Sequence, residues 1–181
     1  MGGLKLGFTG KSGSGKTTAA DYLAKKKQSS IVLAFAGKVK EIVADLYQVD
    51  AYDKNDMHVR ELLQKFGTEV GRSIDPDTWV NYLVRKIDAL PGYYNIFVDD
   101  VRFSNEERAL HQRGFKIIAV QGRINKNLVE KLAKHESELL KDVLADQFLN
   151  NSSPLENFYQ LLDEKYKEWC EEECNDLRKK A

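Results

Sequence analysis

Five short apolar segments punctuate the chain: Leu4–Phe8, Ile31–Phe35, Ile96–Val98, Phe115–Val120 and Gln147–Leu149. Each is bounded by Gly, Asp or Asn and is about as long as one crossing of a sheet, so the pattern predicts strands. Helical periodicity fills the intervals. From Val59 the residues Leu62, Leu63, Phe66 and Val70 keep one stripe; Trp79, Val80, Leu83, Val84, Ile87 and Leu90 keep a second. The second begins at "DPD", where Asp75 suits the N-cap and Pro76 the first helical position, and it stops at Pro91-Gly92. Ser104 and Glu107 have the spacing of a capping box for the next helix, and Gly114 suits its C-terminal stop. After Pro154 a last helix sets Leu155, Phe158, Tyr159, Leu162, Tyr166 and Trp169 on one side.

Strands alternating with helices require crossover connections, and those favour a mainly parallel sheet covered on both faces. The expectation is one α/β domain, residues 1–181, with five parallel strands flanked by helices. Composition agrees: 181 residues at 42% hydrophobic content can bury one good core. Lys+Arg and Asp+Glu both total 28, so no global field attracts a nucleic-acid polymer or an anionic membrane. No apolar run approaches the roughly 20 residues of a membrane span, and a cytoplasmic protein is expected. Cys170 and Cys174 are too few and too close for a secreted disulfide framework and read as reduced thiols. The amphipathic last helix would serve a core or a homodimer interface equally well.

Chemistry enters between the first strand and the helix after it. "GKSGSGKT", Gly10 to Thr17, satisfies G-x-x-x-x-G-K-[ST] in the strand–loop–helix setting that the motif needs. Glycines let several backbone N–H groups converge on one phosphate, and the helix N-terminus adds partial positive charge. Lys16 would reach the β- and γ-phosphates, and the Thr17 hydroxyl would hold Mg²⁺. The loop names a ligand class and leaves the reaction open.

A hydrolytic ATPase or motor usually ends a neighbouring strand with a glutamate that positions water. Here the corresponding strand ends "IFVDDVRF", with Asp99, Asp100 and then Arg102. A GTP switch would carry N-K-x-D, and "NKNL" at Asn125–Leu128 lacks the Asp. An arginine two residues beyond a strand-end Asp would point into the cleft at the carboxyl ends of the strands. An anion acceptor there suits a second phosphate-bearing substrate; the plainer alternative makes Asp99 and Asp100 solvated turn residues and Arg102 a surface charge. "VRELLQKFGTEVGRSIDPDTWV" adds Arg60, Gln64, Gly67, Thr68, Arg72 and Trp79. Arginine forks grip phosphate, amides and hydroxyls read a base edge, and an aromatic ring stacks. The residues alone equally allow a core Trp79, solvated arginines and a helix-ending Gly67.

At this point the chain resembles the deoxynucleoside monophosphate kinases typical of tailed bacteriophages, within the P-loop nucleoside monophosphate kinase superfamily. The resemblance runs through "GKSGSGKTTAADYL", "AFAGKVKEI", "RELLQKFGTEVGR" with "DPDTWV", "DDVRFSNEE", "HESE" and "DQFLNNSS". It implies transfer of the γ-phosphate of ATP, with Mg²⁺, to a deoxynucleoside monophosphate. The implied donor positions are Lys11, Gly13, Ser14, Gly15, Lys16, Thr17 and Thr18. An acceptor region at about 38–90 would use Arg60, Gln64, Gly67, Thr68 and Arg72 with Trp79 close by, together with Asp100, Arg102 and Glu106. Lys16, Asp100, Arg102 and Arg123 would act in transfer, Thr17 and Asp100 at the metal. A lid at about 123–137 is implied, rich in lysine where related kinases carry several arginines. "NNSSP" at Asn150–Pro154 resembles the loop beside the donor adenine. The resemblance also places the protein in the host cytoplasm if a phage encodes it. A kinase of another small phosphorylated acceptor, or a nucleotide-driven binding module, would keep the same phosphate loop.

Overall fold

A computed structural model of the chain describes residues 2–53, 55–122 and 143–180, with side chains as far as Glu172. Two compact units emerge, one of residues Met1–Val32 with Leu90–Ala181, the other Leu33–Ala89.

The first unit is built on a five-stranded parallel sheet in the order β2-β3-β1-β4-β5. Its strands are β1 (Lys5–Thr9), β2 (Ser30–Leu33), β3 (Asn95–Val101), β4 (Lys116–Gly122) and β5 (Gln147–Asn151). Helices α1 (Lys16–Lys26), α5 (Ser104–His111) and α6 (Leu155–Lys180) belong to the same unit. The central strand β1 is apolar on both faces, since Leu6 and Phe8 alternate with Gly7 and all three are buried. That double burial is the signature of a parallel strand covered on two sides. Leu6, Phe8, Leu23, Phe97, Phe158 and Trp169 anchor one core cluster. The Trp169 indole N–H finds Gln147 Oε1 at 2.7 Å, so burial leaves no donor unpaired there. Tyr22 of α1 stacks on Tyr159 of α6 with centroids 4.2 Å apart.

The second unit contains α2 (Gly37–Tyr47), α3 (Met57–Gln64), a π-helical segment (Lys65–Arg72) and α4 (Thr78–Asp88). Asp56 caps α3, its Oδ1 accepting from His58 N–H at 2.8 Å and Val59 N–H at 3.2 Å. Val39, Val43 and Trp79 form its buried centre, with Leu62, Leu63 and Phe66 packed against them.

Several expectations shift for physical reasons. The second strand stops at Leu33 rather than Phe35, because Ala34 and Phe35 already turn toward α2. Phe35 is apolar for burial and not for strand pairing. The stripe from Val59 is not one α-helix. It passes into π geometry at Lys65, and the wider i→i+5 turn carries Val70 off the stripe into solvent. Helix α4 starts at Thr78, two residues after Pro76. Asp75 closes a turn instead, its carboxylate accepting from Asp77 N–H at 2.9 Å. In the last helix Phe158, Leu162 and Trp169 are buried, but Leu155 is exposed. Gly114 does end α5, at φ 77, with its N–H on His111 O at 3.0 Å.

Candidate active site

The loop after β1 takes its shape from glycine and from close neighbours. Gly10 has φ 139, and a Cβ there would sit 2.4 Å from Val120 O of β4. Gly15, at φ 107, stands immediately before α1 and occupies a conformation that side-chain-bearing residues rarely adopt. Lys16 opens α1 and is only 7% exposed. Its ammonium lies inside the loop, donating to Gly10 O at 2.7 Å and Lys11 O at 2.9 Å. The cation is therefore held where loop carbonyls converge. Thr17 and Thr18, on the first turn of α1, are half-buried. Ser14 is 2% exposed and its hydroxyl has no hydrogen-bond partner among the described residues; the same holds for the buried Thr9 hydroxyl at the end of β1. Two buried hydroxyls beside one glycine loop mark polar capacity that the described residues leave unused.

Beside the loop, β3 carries Asp99 and Asp100 inside the strand, half-buried, and not in a solvated turn. Its register with β1 pairs Gly7 with Val98 and Thr9 with Val101. The ladder advances two residues on β1 against three on β3, so β3 holds one extra residue, a bulge, at the two aspartates. Bulges re-aim side chains, which places these carboxylates under local control beside the loop's root.

Arg102 follows directly, half-buried, and its backbone is held by a carboxylate. Glu106 is 2% exposed, and its Oε2 accepts from Arg102 N–H at 2.7 Å and Phe103 N–H at 3.1 Å. Glu106, expected at the acceptor, is thus the reciprocal cap of α5, and the capping box expected from Ser104 to Glu107 is corrected by one residue. Glu107 turns elsewhere: its Oε1 meets His111 Nδ1 at 2.7 Å, and His111 Nε2 meets Asp146 Oδ2 at 2.9 Å. Burial opposes charge on that imidazole, but the hydrogen bond and charge of Asp146, then of Glu107, outweigh it and raise its pKa above the ordinary value.

In the second unit Arg60 and Gln64 lie on α3, and Gly67, Thr68 and Arg72 on the π-helical segment, all half-buried. Arg72 Nη1 donates to Pro76 O at 3.0 Å. Gly67 lies within the segment and does not terminate a helix. Trp79 is only 9% exposed, so the ring expected to stack on a base lies in the core. Its Nε1 donates to Gly67 O at 2.7 Å, and a Cβ on Gly71 would sit 2.4 Å from its Cζ2. Thr78 Oγ1 donates to Gly71 O at 3.2 Å. The ring therefore supports the π-helical segment from below. Arg123 and the lid expected at about 123–137 lie outside the described residues.

One contact was invisible in the linear pattern. Asn151, the last residue of β5, donates from Nδ2 to Ser14 O at 2.9 Å. Nothing in "NNSSP" separates this asparagine from Asn150; only the pairing of β5 with β4 brings it to the loop.

A family model described as deoxynucleotide monophosphate kinase matches residues 48–162. A curated relative, the uncharacterized protein ORF77 of Ictalurid herpesvirus 1 (strain Auburn), is 30% identical over 156 residues, covering 83% of this chain. The chain spans 65% of that relative's length. Among solved structures, a provisionally assigned kinase from Chloroflexus aurantiacus is 15% identical with a TM-score of 0.52, covering 93% of this chain and 97% of that one. Shikimate kinase from Bacteroides thetaiotaomicron is also 15% identical, with a TM-score of 0.47 and coverage of 91% and 98%. Among the described residues no helix is long and apolar enough to cross a membrane.

Proposed function

The chain belongs to the deoxynucleotide monophosphate kinase family, and we propose that it transfers the γ-phosphate of ATP to the phosphate of a deoxynucleoside monophosphate, giving ADP and a deoxynucleoside diphosphate. The observation that carries the reading is Lys16, buried inside a glycine loop at the N-terminus of α1. A buried ammonium among backbone dipoles is a site for the β- and γ-phosphates.

The acceptor phosphate is already anionic and needs no general base, so the work is positioning and charge neutralisation. Lys16 exchanges its two loop carbonyls for phosphate oxygens as the donor enters. Arg102, on a backbone fixed by Glu106, holds the acceptor phosphate. Arg60, Gln64, Thr68 and Arg72 supply the fork, amide and hydroxyl groups that a nucleotide requires, and Trp79 fixes the segment bearing Thr68 and Arg72 without touching the base.

The donor set suits Mg²⁺. Thr17 Oγ1 and the Asp100 carboxylate are hard oxygen ligands, and Mg²⁺ keeps several waters, so few protein oxygens suffice. When bound, the ion offsets charge on the phosphates. Thr17 and Asp100 would hold it and orient its water shell.

An ADP-release assay with ATP and Mg²⁺, run with each deoxynucleoside monophosphate and its ribose counterpart, tests the reading. Strong stimulation by deoxy acceptors is expected, and the panel also yields the base range. Acceptor-independent ADP release would replace it with an ATPase module. Intact ATP binding without turnover would point to a different small phosphorylated acceptor.

A further inference from the structure

Asn151 touches the phosphate loop at the Ser14–Gly15 peptide. Besides the bond from Nδ2 to Ser14 O, its side chain fills the space beside two glycines. A Cβ on Gly15 would sit 2.3 Å from Asn151 Nδ2. A Cβ on Gly122, its register partner on β4, would meet Asn151 Cβ, Asn151 O and Ser14 O, each at 2.9 Å. The amide is wedged against one peptide unit, Ser14–Gly15.

The direction of that unit matters. In a trans peptide the C=O and N–H point opposite ways, so holding the Ser14 oxygen toward Asn151 aims the Gly15 N–H away from it. Glycine resists rotation less than any other residue, and Gly15 at φ 107 has no Cβ to hold its own plane. Released from Asn151, the unit could turn over and present a carbonyl where a phosphate needs a donor. The bond thus protects the polarity of the loop.

We propose that Asn151 is a positioning residue for the donor phosphates, locking the Ser14–Gly15 peptide with its N–H available to the ligand. This deepens the reading of the loop as the ATP site and rests on it. Asn151 acts through the loop and not on the adenine, although "NNSSP" suggested a place beside the base.

Inorganic tripolyphosphate separates the two roles, because it carries the phosphates without a base. Asn151→Asp keeps the side chain's size but sets oxygen against the Ser14 oxygen; Asn151→Ala removes the amide from a half-buried site and leaves folding intact. One lost hydrogen bond corresponds to roughly two- to tenfold in affinity for the alanine variant. The aspartate variant should lose about tenfold or more. By calorimetry each variant should weaken ATP and tripolyphosphate binding by one common factor for the two ligands, smaller for the alanine variant than for the aspartate variant. The KM for ATP should rise in step while the KM for the deoxynucleoside monophosphate stays put. Unchanged tripolyphosphate affinity in either folded variant overturns the proposal, whatever happens to ATP. If no deoxynucleoside monophosphate accelerates the wild type, the proposed reaction fails, yet the binding comparison still decides Asn151. A wild type that binds neither ligand overturns both.

Discussion

The loop after β1 and the π-helical segment after α3 are shaped by opposite means. The loop is fixed from many sides at once: Val120 O against Gly10, Asn151 against Ser14 and Gly15, and Lys16 drawn in by two carbonyls. The π-helical segment rests on packing: Trp79 bonds Gly67 O and fills the space at Gly71, Thr78 bonds Gly71 O, and Phe66 packs against the cluster of Val39, Val43 and Trp79. The loop's polar contacts set where its donors point, whereas the segment's packing sets how stably it folds. Substitutions in the loop should therefore read out in binding and rate, and those under the π-helical segment in stability.

The sharpest break on the loop side is Lys16→Ala. It should lower turnover by about 10³-fold or more and weaken ATP binding, while the thermal midpoint stays within a few degrees. Unchanged ATP affinity by calorimetry would contradict the role given to the ammonium. Arg102→Ala should come next, losing about 10³-fold in kcat with ATP binding intact; near-normal turnover in that variant would remove Arg102 from the transfer step.

On the other side, Gly71→Ala drives a methyl into the Trp79 ring and should destabilise by about 1–3 kcal/mol. Denaturant titration measures this, and ATP binding under native conditions should survive. Loss of ATP binding at full folding would erase the proposed contrast between the two supports.

The smallest effect lies at His111. Its pKa is raised by Asp146 and Glu107. Charge on the imidazole therefore stabilises the fold fully below the unfolded value near 6.5, and that stability is lost as pH rises through the higher folded value. The thermal midpoint of wild type should exceed that of His111→Gln by a degree or two at pH 6 and by less at pH 9. A gap that widens with pH would show the sign to be wrong.

Much of the first unit was legible in the chain. Short apolar runs bounded by Gly, Asp and Asn became strands because nothing else satisfies a buried run of five or so residues. The phosphate loop was legible because its residue types are dictated by backbone geometry. What escaped depended on tertiary pairing. Two adjacent glutamates, Glu106 and Glu107, have nearly the same local credentials as a cap, and the turn at Arg102–Phe103 decides between them. A periodic stripe cannot distinguish an α-turn from a π-turn when the residues past Lys65 are polar on most sides. Trp79 looked available for stacking because a tryptophan beside glycines fits a ligand or a core equally well. The bulge at Asp99–Asp100 leaves no trace in one strand alone, since it exists only as a mismatch with β1.

The strand order carries one more consequence. β1 is the middle strand of five, hydrogen-bonded on both sides by β3 and β4, and the phosphate loop hangs directly from its end. Amide protons of Leu6 to Phe8 should exchange with deuterium only when the whole unit opens, whereas those of the π-helical segment should exchange through local openings. A nucleotide seated on the loop would then slow exchange most where the chain is already slowest. Added protection at β1 would appear as a shift in global stability that grows with the logarithm of ligand concentration.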